Sequence, residues 1–292
     1  MRYEWVVFSL ISAFTLATSD AFTKKALTSH NEYLIAWLRL VCSLPVLVPV
    51  LLLVPRPDLD REFFLSALSA LPLEILALIL YVKALRLSPL SLTLPFLALT
   101  PLFLIVIPHL VLGEEVSYPG GAGVLLIVLG SYMLNVRLAR DGFLEPIRAI
   151  RRERGSLLMI GVALIYAITS TLGKKAIVHS SPLFFAAAYF IALTVAFAPV
   201  ALLKSGPPLK WTITSGALRA SVIPGVLYGV MTLSHMVAMS LTNVAYMISV
   251  KRVSLLIGVL YGYILFREPG IRERLGGSFL MLTGFVLIVL YQ

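Results

Sequence analysis

The sequence predicts an all-α polytopic membrane protein of ten transmembrane helices, arranged as two inverted five-helix repeats. Three observations lead there. Hydrophobic residues fill 59% of the 292 positions and charged residues 13%, against about 45–50% and about 25% in a soluble globular chain. Long apolar runs recur along the whole length, separated by short stretches rich in Pro, Gly or charge. The second half of the chain also repeats the first. A span takes about 20 apolar residues, so ten spans use roughly 200 positions and leave no room for a separate water-soluble domain.

The runs place spans near 5–24, 33–54, 63–83, 90–112, 119–136, 156–174, 182–203, 216–241, 243–266 and 275–291. Links of a few residues make neighbouring helices antiparallel. The longest link, 137–155, carries Arg137, Arg140, Arg148, Arg151, Arg152 and Arg154. It reads as a linker at the lipid headgroups, and Leu144, Ile147 and Ile150 are spaced to share one face of a short interfacial helix. The first run, after Arg2 and before Ala17-Thr18-Ser19-Asp20-Ala21, has the outline of a signal peptide. Internal repetition argues against cleavage. A shift of 150 lays Ala13, Ala17, Lys24, Lys25 and Ala26 on Ala163, Ala167, Lys174, Lys175 and Ala176.

A shift of 154 continues the match, laying Ala84, Leu87, Glu114, Gly123, Leu126 and Gly130 on Ala238, Leu241, Glu268, Gly277, Leu280 and Gly284. The expected organisation is a first repeat over 1–136, a basic linker over 137–155 and a second repeat over 156–292. Five spans per repeat is an odd number, so the second copy enters from the opposite face and the repeats are inverted. Such repeats place a substrate site at the midplane between them and expose it to either side by rocking.

Composition also excludes classes. Cys42 is the single cysteine, so no internal disulfide or thiolate metal cluster forms. The net charge of +10 sits mainly in the links, where it sets orientation and contacts lipid headgroups; nucleic acid is not an expected partner. No Walker motif is present, so ATP is not the direct driver. GxSxG, HExxH and paired-aspartate diphosphate motifs are also missing, and neither a cofactor nor a metal is expected. A membrane-embedded enzyme remains the contrasting class.

Two stretches, 84–134 and 238–290, resemble the EamA-type repeat of the drug/metabolite transporter superfamily. The first has "ALRLSP" leading into the fourth helix, Pro101 within it, Gly113-Glu114 at its end and a glycine-bearing fifth helix. The second has Asn243 and Leu255 in place of Pro89 and Pro101, but keeps Glu268 and a "VKRVS" run at 250–254. The resemblance implies ten helices in two inverted repeats and transport of small metabolites, often amino acids or related compounds, frequently outward. It also implies a central cavity lined by helices one, three and four of each repeat.

Ionisable groups inside spans cost about 2.5–3.5 kcal/mol at a helix centre and so mark cavities, pathways or partners. Asp20, Arg39, Glu74, Arg219, His235, Lys251 and Arg252 are of this kind. Lys251 and Arg252 lie mid-span and point about 100° apart on a helix, so one can receive an anionic substrate group while the other pairs with a carboxylate. A structural ion pair between the halves is the competing reading. Glu74 either carries a coupled proton or makes a salt bridge, and Asp20 is expected to pair locally with Lys24. Tyr81 and His235 are equivalent under the 154 shift and mark matched places on two cavity walls. Tyr166, Asn243 and Tyr246 add hydrogen-bonding capacity there, as do Thr169, Ser170 and Ser249, although such hydroxyls often bond their own backbone. Gly225 with Gly229, and Gly258 with Gly262, are spaced for close helix contact. Pro89, Pro95 and Pro101 are candidate hinges.

Two matters stay open at this level. With a cytoplasmic N-terminus, as the resemblance implies, the inner links hold Arg2, Arg56, Arg61, Lys174 and Lys175, while fifteen basic residues fall outside; the positive-inside rule favours the reverse. Monomer and homodimer are equally compatible with the sequence. The expected function is secondary transport of a small polar metabolite across the cell membrane by alternating access. An organophosphate or nucleotide-sugar exchanger is the alternative, because Lys251-Arg252 suits phosphate.

Overall fold

A computed structural model describes residues 3–88, 94–133, 154–205, 216–266 and 275–291. These residues are helical almost throughout: α1 Glu4–Leu27, α2 Glu32–Val41, α3 Leu44–Leu53, α4 Arg61–Leu87, a 3-10 segment Leu94–Leu99, α5 Thr100–Leu112 and α6 Tyr118–Met133, then α7 Arg154–Val178, α8 Pro182–Lys204, α9 Ala217–Leu241, α10 Val244–Lys251, α11 Ser254–Phe266 and α12 Leu275–Tyr291. Among the described residues, seven helical stretches are long and apolar enough to cross a membrane, counting α2–α3 and α10–α11 as one each. The shorter apolar helices α5, α6 and α12 stand at the three remaining spans. The basic link 137–153 lies outside the described residues, and so do Pro89 and Glu268.

Local chemistry fixes the helix starts. Asn31 accepts from the amides of Tyr33 and Leu34, Asp60 from that of Phe63, and Ser181 from that of Phe184, each meeting a donor that the first helical turn leaves unmatched. Asn31 and Ser181 are equivalent under the 150 shift, so the second helix of each repeat begins in the same way. Gly113, at φ 69°, ends α5 in the left-handed conformation that glycine adopts without a Cβ clash. Outer faces present bare leucines and aromatics such as Leu53, Leu110 and Phe279, as contact with lipid tails allows.

Three helix pairs make the most extensive contacts: α1 with α9, α4 with α7, and α6 with α12. Each pair joins one repeat to the other, and the first two are interchanged by the repeat shifts. The α6–α12 crossing shows the inversion directly. A Cβ on Gly123 would meet the Gly284 carbonyl oxygen at 2.7 Å, and one on Gly284 would meet that of Gly123 at 2.5 Å. Farther along, Gly130 faces the Gly277 carbonyl at 2.5 Å. Low numbers therefore meet high ones, the two helices run antiparallel, and each glycine packs on the sequence mate of the other glycine of its own helix. Gly225 and Gly229 bring α9 onto the α2–α3 junction, against Cys42, Ser43 and Val46.

The fourth span of each repeat is broken at the same register. In the first repeat the 3-10 segment Leu94–Leu99 gives way to α5 at Thr100; in the second, α10 stops at Lys251 and α11 starts at Ser254. Pro101 stands in the first turn of α5 and is buried, a position where a proline's missing N–H costs nothing. Pro95 lies within the 3-10 segment. The second break has no proline: amides at 252, 253, 255 and 256 bond the third residue back, as in a 3-10 turn.

Candidate functional site

Between the repeats lies a cavity of about 100 Å³. Glu74, Tyr81, Tyr166, His235, Lys251 and Arg252 all line it. Asn243 and Tyr246 do not. They stand at the start of α10 against the 113–117 link, where the Asn243 Nδ2 donates to the Glu115 carbonyl at 2.7 Å and the Ser117 amide donates to the Tyr246 hydroxyl at 2.8 Å.

The lining follows the repeat. Leu16 and Tyr166, Arg39 and Tyr189, Glu74 and Tyr228, Leu78 and Thr232, Tyr81 and His235, and Leu97 and Lys251 are pairs related by the two shifts, and every member contributes to the wall. Equivalent positions carry different chemistry: Arg39 and Glu74 answer to tyrosines, and Lys251 to a leucine. Spans two and seven enter the lining through Arg39 of α2 and Phe185, Tyr189 and Phe190 of α8. The expectation of helices one, three and four alone is thereby widened. The signal was present in the sequence, since Phe185 and Tyr189 are spaced i,i+4 and so share a helix face.

Charges are handled in two ways. Asp20 is buried and takes the Arg39 guanidinium at 3.0 Å and the Tyr81 hydroxyl at 2.6 Å. The expected local pair with Lys24 is not made, because the longer-range partner is another buried charge that would otherwise stand uncompensated. Arg39 also lies 4.1 Å over the Tyr228 ring. Arg219, counted from sequence among the in-span charges, is exposed.

Among the described residues, Lys251 and Arg252 have no such ion-pair partner. The Lys251 ammonium lies 2.9 Å from the His235 Nδ1 and 3.3 Å from the Met231 Sδ, and both basic residues are buried. The Arg252 Nε has no hydrogen-bond partner among the described residues. Glu74 sits against the Thr169 hydroxyl, with Lys251 the base that reaches it electrostatically. An aromatic train completes the wall: Phe185 stacks on Tyr189 at 5.0 Å, and Phe190 meets Tyr189 at 5.6 Å and Tyr228 at 5.9 Å. The Tyr189 hydroxyl is buried and unpartnered among the described residues. Ser249 donates to the Ala245 carbonyl of its own helix, as small hydroxyls in membrane helices do. The described residues contain no group of three or more His, Cys, Asp or Glu side chains placed to hold a metal.

The model of the EamA-like transporter family matches residues 4–136 and 153–290, nearly the entire chain in two copies. The chain belongs to the EamA-like transporter family. It is a multi-pass membrane protein of a family of transporters. A solved structure described only as the crystal structure of a protein superposes with a TM-score of 0.75 at 16% identity, covering 99% of this chain and 98% of its own. At that identity the likeness shows the fold alone. Among the curated proteins none matches this EamA-like chain.

Proposed function

We propose that this EamA-like protein is a secondary transporter, not an enzyme, that moves small polar metabolites through the cavity by alternating access. Amino acids or related compounds are the proposed substrates, and export across the cell membrane the proposed direction. One observation carries the reading: two buried bases on the cavity wall, Lys251 and Arg252, lack a carboxylate within ion-pair distance among the described residues. A buried unpaired cation is costly, and a substrate anion entering the cavity offsets that cost. Glu74, on the other repeat, supplies the opposite pole for an amino group. The rings of Phe185, Tyr189, Phe190 and Tyr228 supply apolar surface for a side chain.

The test is uptake of labelled amino acids against labelled sugar phosphates by proteoliposomes holding the purified protein. Amino-acid counterflow supports the proposal; sugar-phosphate exchange without it transfers the site to the phosphate reading that Lys251-Arg252 also suits. Turnover of a substrate in detergent, with no membrane to cross, would reopen the enzyme class. Lys251→Leu is expected to abolish counterflow while the protein still melts within a few degrees of the parent. A variant that no longer inserts or folds would assign Lys251 to architecture instead.

A further inference from the structure

The end of the cavity-bearing α10 remote from Lys251 is fastened to the other repeat by contacts that substrate binding does not need. The Glu114 Oε2 accepts from the Val244 amide at 2.8 Å, one of the donors that the first turn of α10 leaves unmatched. Asn243 Nδ2 donates to the Glu115 carbonyl, and Tyr246 fills the space beside Gly120 so tightly that a Cβ there would collide with its ring. The Lys174 ammonium stands 4.0 Å from the Glu114 carboxylate and donates to the Met239 and Thr242 carbonyls at 2.5 and 3.1 Å, capping α9. One carboxylate and one ammonium thus hold both sides of the α9–α10 junction.

The first repeat carries the matching ammonium: Lys24 donates to the Leu85 and Ser88 carbonyls at the end of α4. Lys24, Leu85 and Ser88 are the repeat mates of Lys174, Met239 and Thr242, and Glu268 is the sequence mate of Glu114. Because the repeats are inverted, the two junctions stand on opposite membrane faces. α10 is only eight residues long, about 12 Å at the α-helical rise, and it joins the Glu114 junction to Lys251 as a short rigid rod.

We infer that Glu114 is the latch of one mouth of the cavity: by capping α10 it holds that face shut and positions the Lys251 end of the same rod. The latch presupposes the transport reading for its purpose but not for its test, since closure is measured without any transported substrate. The assay uses a reporter cysteine at Ser170, on the cavity wall, in a Cys42→Ser background in sealed vesicles. A membrane-impermeant maleimide is applied to each face separately. Tyr118→Cys, at a residue 98% exposed, marks the face bearing the link.

Glu114→Ala removes the acceptor and should speed reporter labelling from the marked face about tenfold, the scale of a lost helix cap. Labelling from the opposite face should not rise. Glu114→Gln keeps an acceptor for the Val244 amide and should label at nearly the parent rate. Asn243→Ala removes the neighbouring strap and should give a smaller increase; it serves as the second probe should Glu114→Ala melt early. Parent-like labelling in both alanine variants overturns the latch, and so does equal acceleration from both faces. Equal acceleration in Glu114→Gln overturns the capping role. Failure of amino-acid counterflow with these labelling results intact would sink the substrate reading and leave the latch standing.

Discussion

Two carboxylates within one membrane core, Asp20 and Glu74, are used differently, and the difference is measurable. Asp20 neutralises Arg39 and accepts from Tyr81, with 5% and 3% of the two ion-pair side chains exposed. Removing one partner of such a pair strands the other charge and costs about 3–5 kcal/mol. Asp20→Asn should therefore lower stability in detergent by that amount, read from denaturant or thermal unfolding. Glu74 has a hydroxyl neighbour and opens on the cavity, so Glu74→Gln should leave stability nearly unchanged and remove the pH response of transport. An equal stability loss in both variants would show Glu74 to be a structural charge. Sequence spacing singled out Glu74, Lys251 and Arg252 because in-span charges stand out against leucine. It could not pair Asp20 with Arg39, since Lys24, four residues along, is as good a partner until the tertiary fold brings α2 alongside α1. Tyr228 was equally hidden, because an aromatic in an apolar helix is ordinary until both walls are in place.

At the scale of elements, apolar runs and their length placed the spans, seven of them long enough to cross a membrane among the described residues and three matched by shorter apolar helices, but not their interruptions. Prolines announced the broken fourth span of the first repeat. Nothing comparable announces the break after Lys251, where the backbone tightens into 3-10 geometry with no proline present. Such irregular backbone in a membrane is tolerated where it is buried in protein or lines a cavity, and Lys251 and Arg252 sit at this one. The α6–α12 crossing was legible as a glycine pattern but not as a register. Gly123 and Gly130 align with Gly277 and Gly284 in sequence, yet pack in the opposite order, as antiparallel helices must. A Cβ at Gly123 would lie 2.7 Å from a backbone oxygen, whereas at Gly121 its nearest neighbour is a Val116 methyl at 3.7 Å. Gly123→Ala should thus destabilise by about 1–3 kcal/mol through overpacking, and Gly121→Ala should not. Equal melting temperatures for the two alanine variants would show that the crossing yields without cost.

For the molecule as a whole, inversion sets the two junctions on opposite faces, and the proton balance of the one described gives a sign to test. Facing Glu114 are Lys174 from α7, the Val244 amide from α10, the His109 ring against the Glu114 carbonyl oxygen, and Glu115 next in the chain. Burial pushes the Glu114 carboxyl above the usual carboxylate value, outweighing the Val244 amide and the Lys174 ammonium, which pull it down. Released to water, the carboxyl returns to the ordinary value. A carboxyl whose value is higher in the latched state binds its proton more tightly there, so acidification favours the latch. The effect grows as pH falls from neutrality through the raised value, and levels off below the ordinary carboxylate range. The protonated group keeps an oxygen for the Val244 amide, so losing its charge does not remove the cap. Labelling of the Ser170→Cys reporter from the marked face should accordingly slow on acidification, after normalising to an exposed control cysteine for thiolate content. In Glu114→Gln, which carries no titrating group at that place, the slowing should disappear. Faster labelling at low pH in the parent would mean that attraction to Lys174, rather than burial, governs the junction. The charge on Glu114 would then be what keeps that face closed.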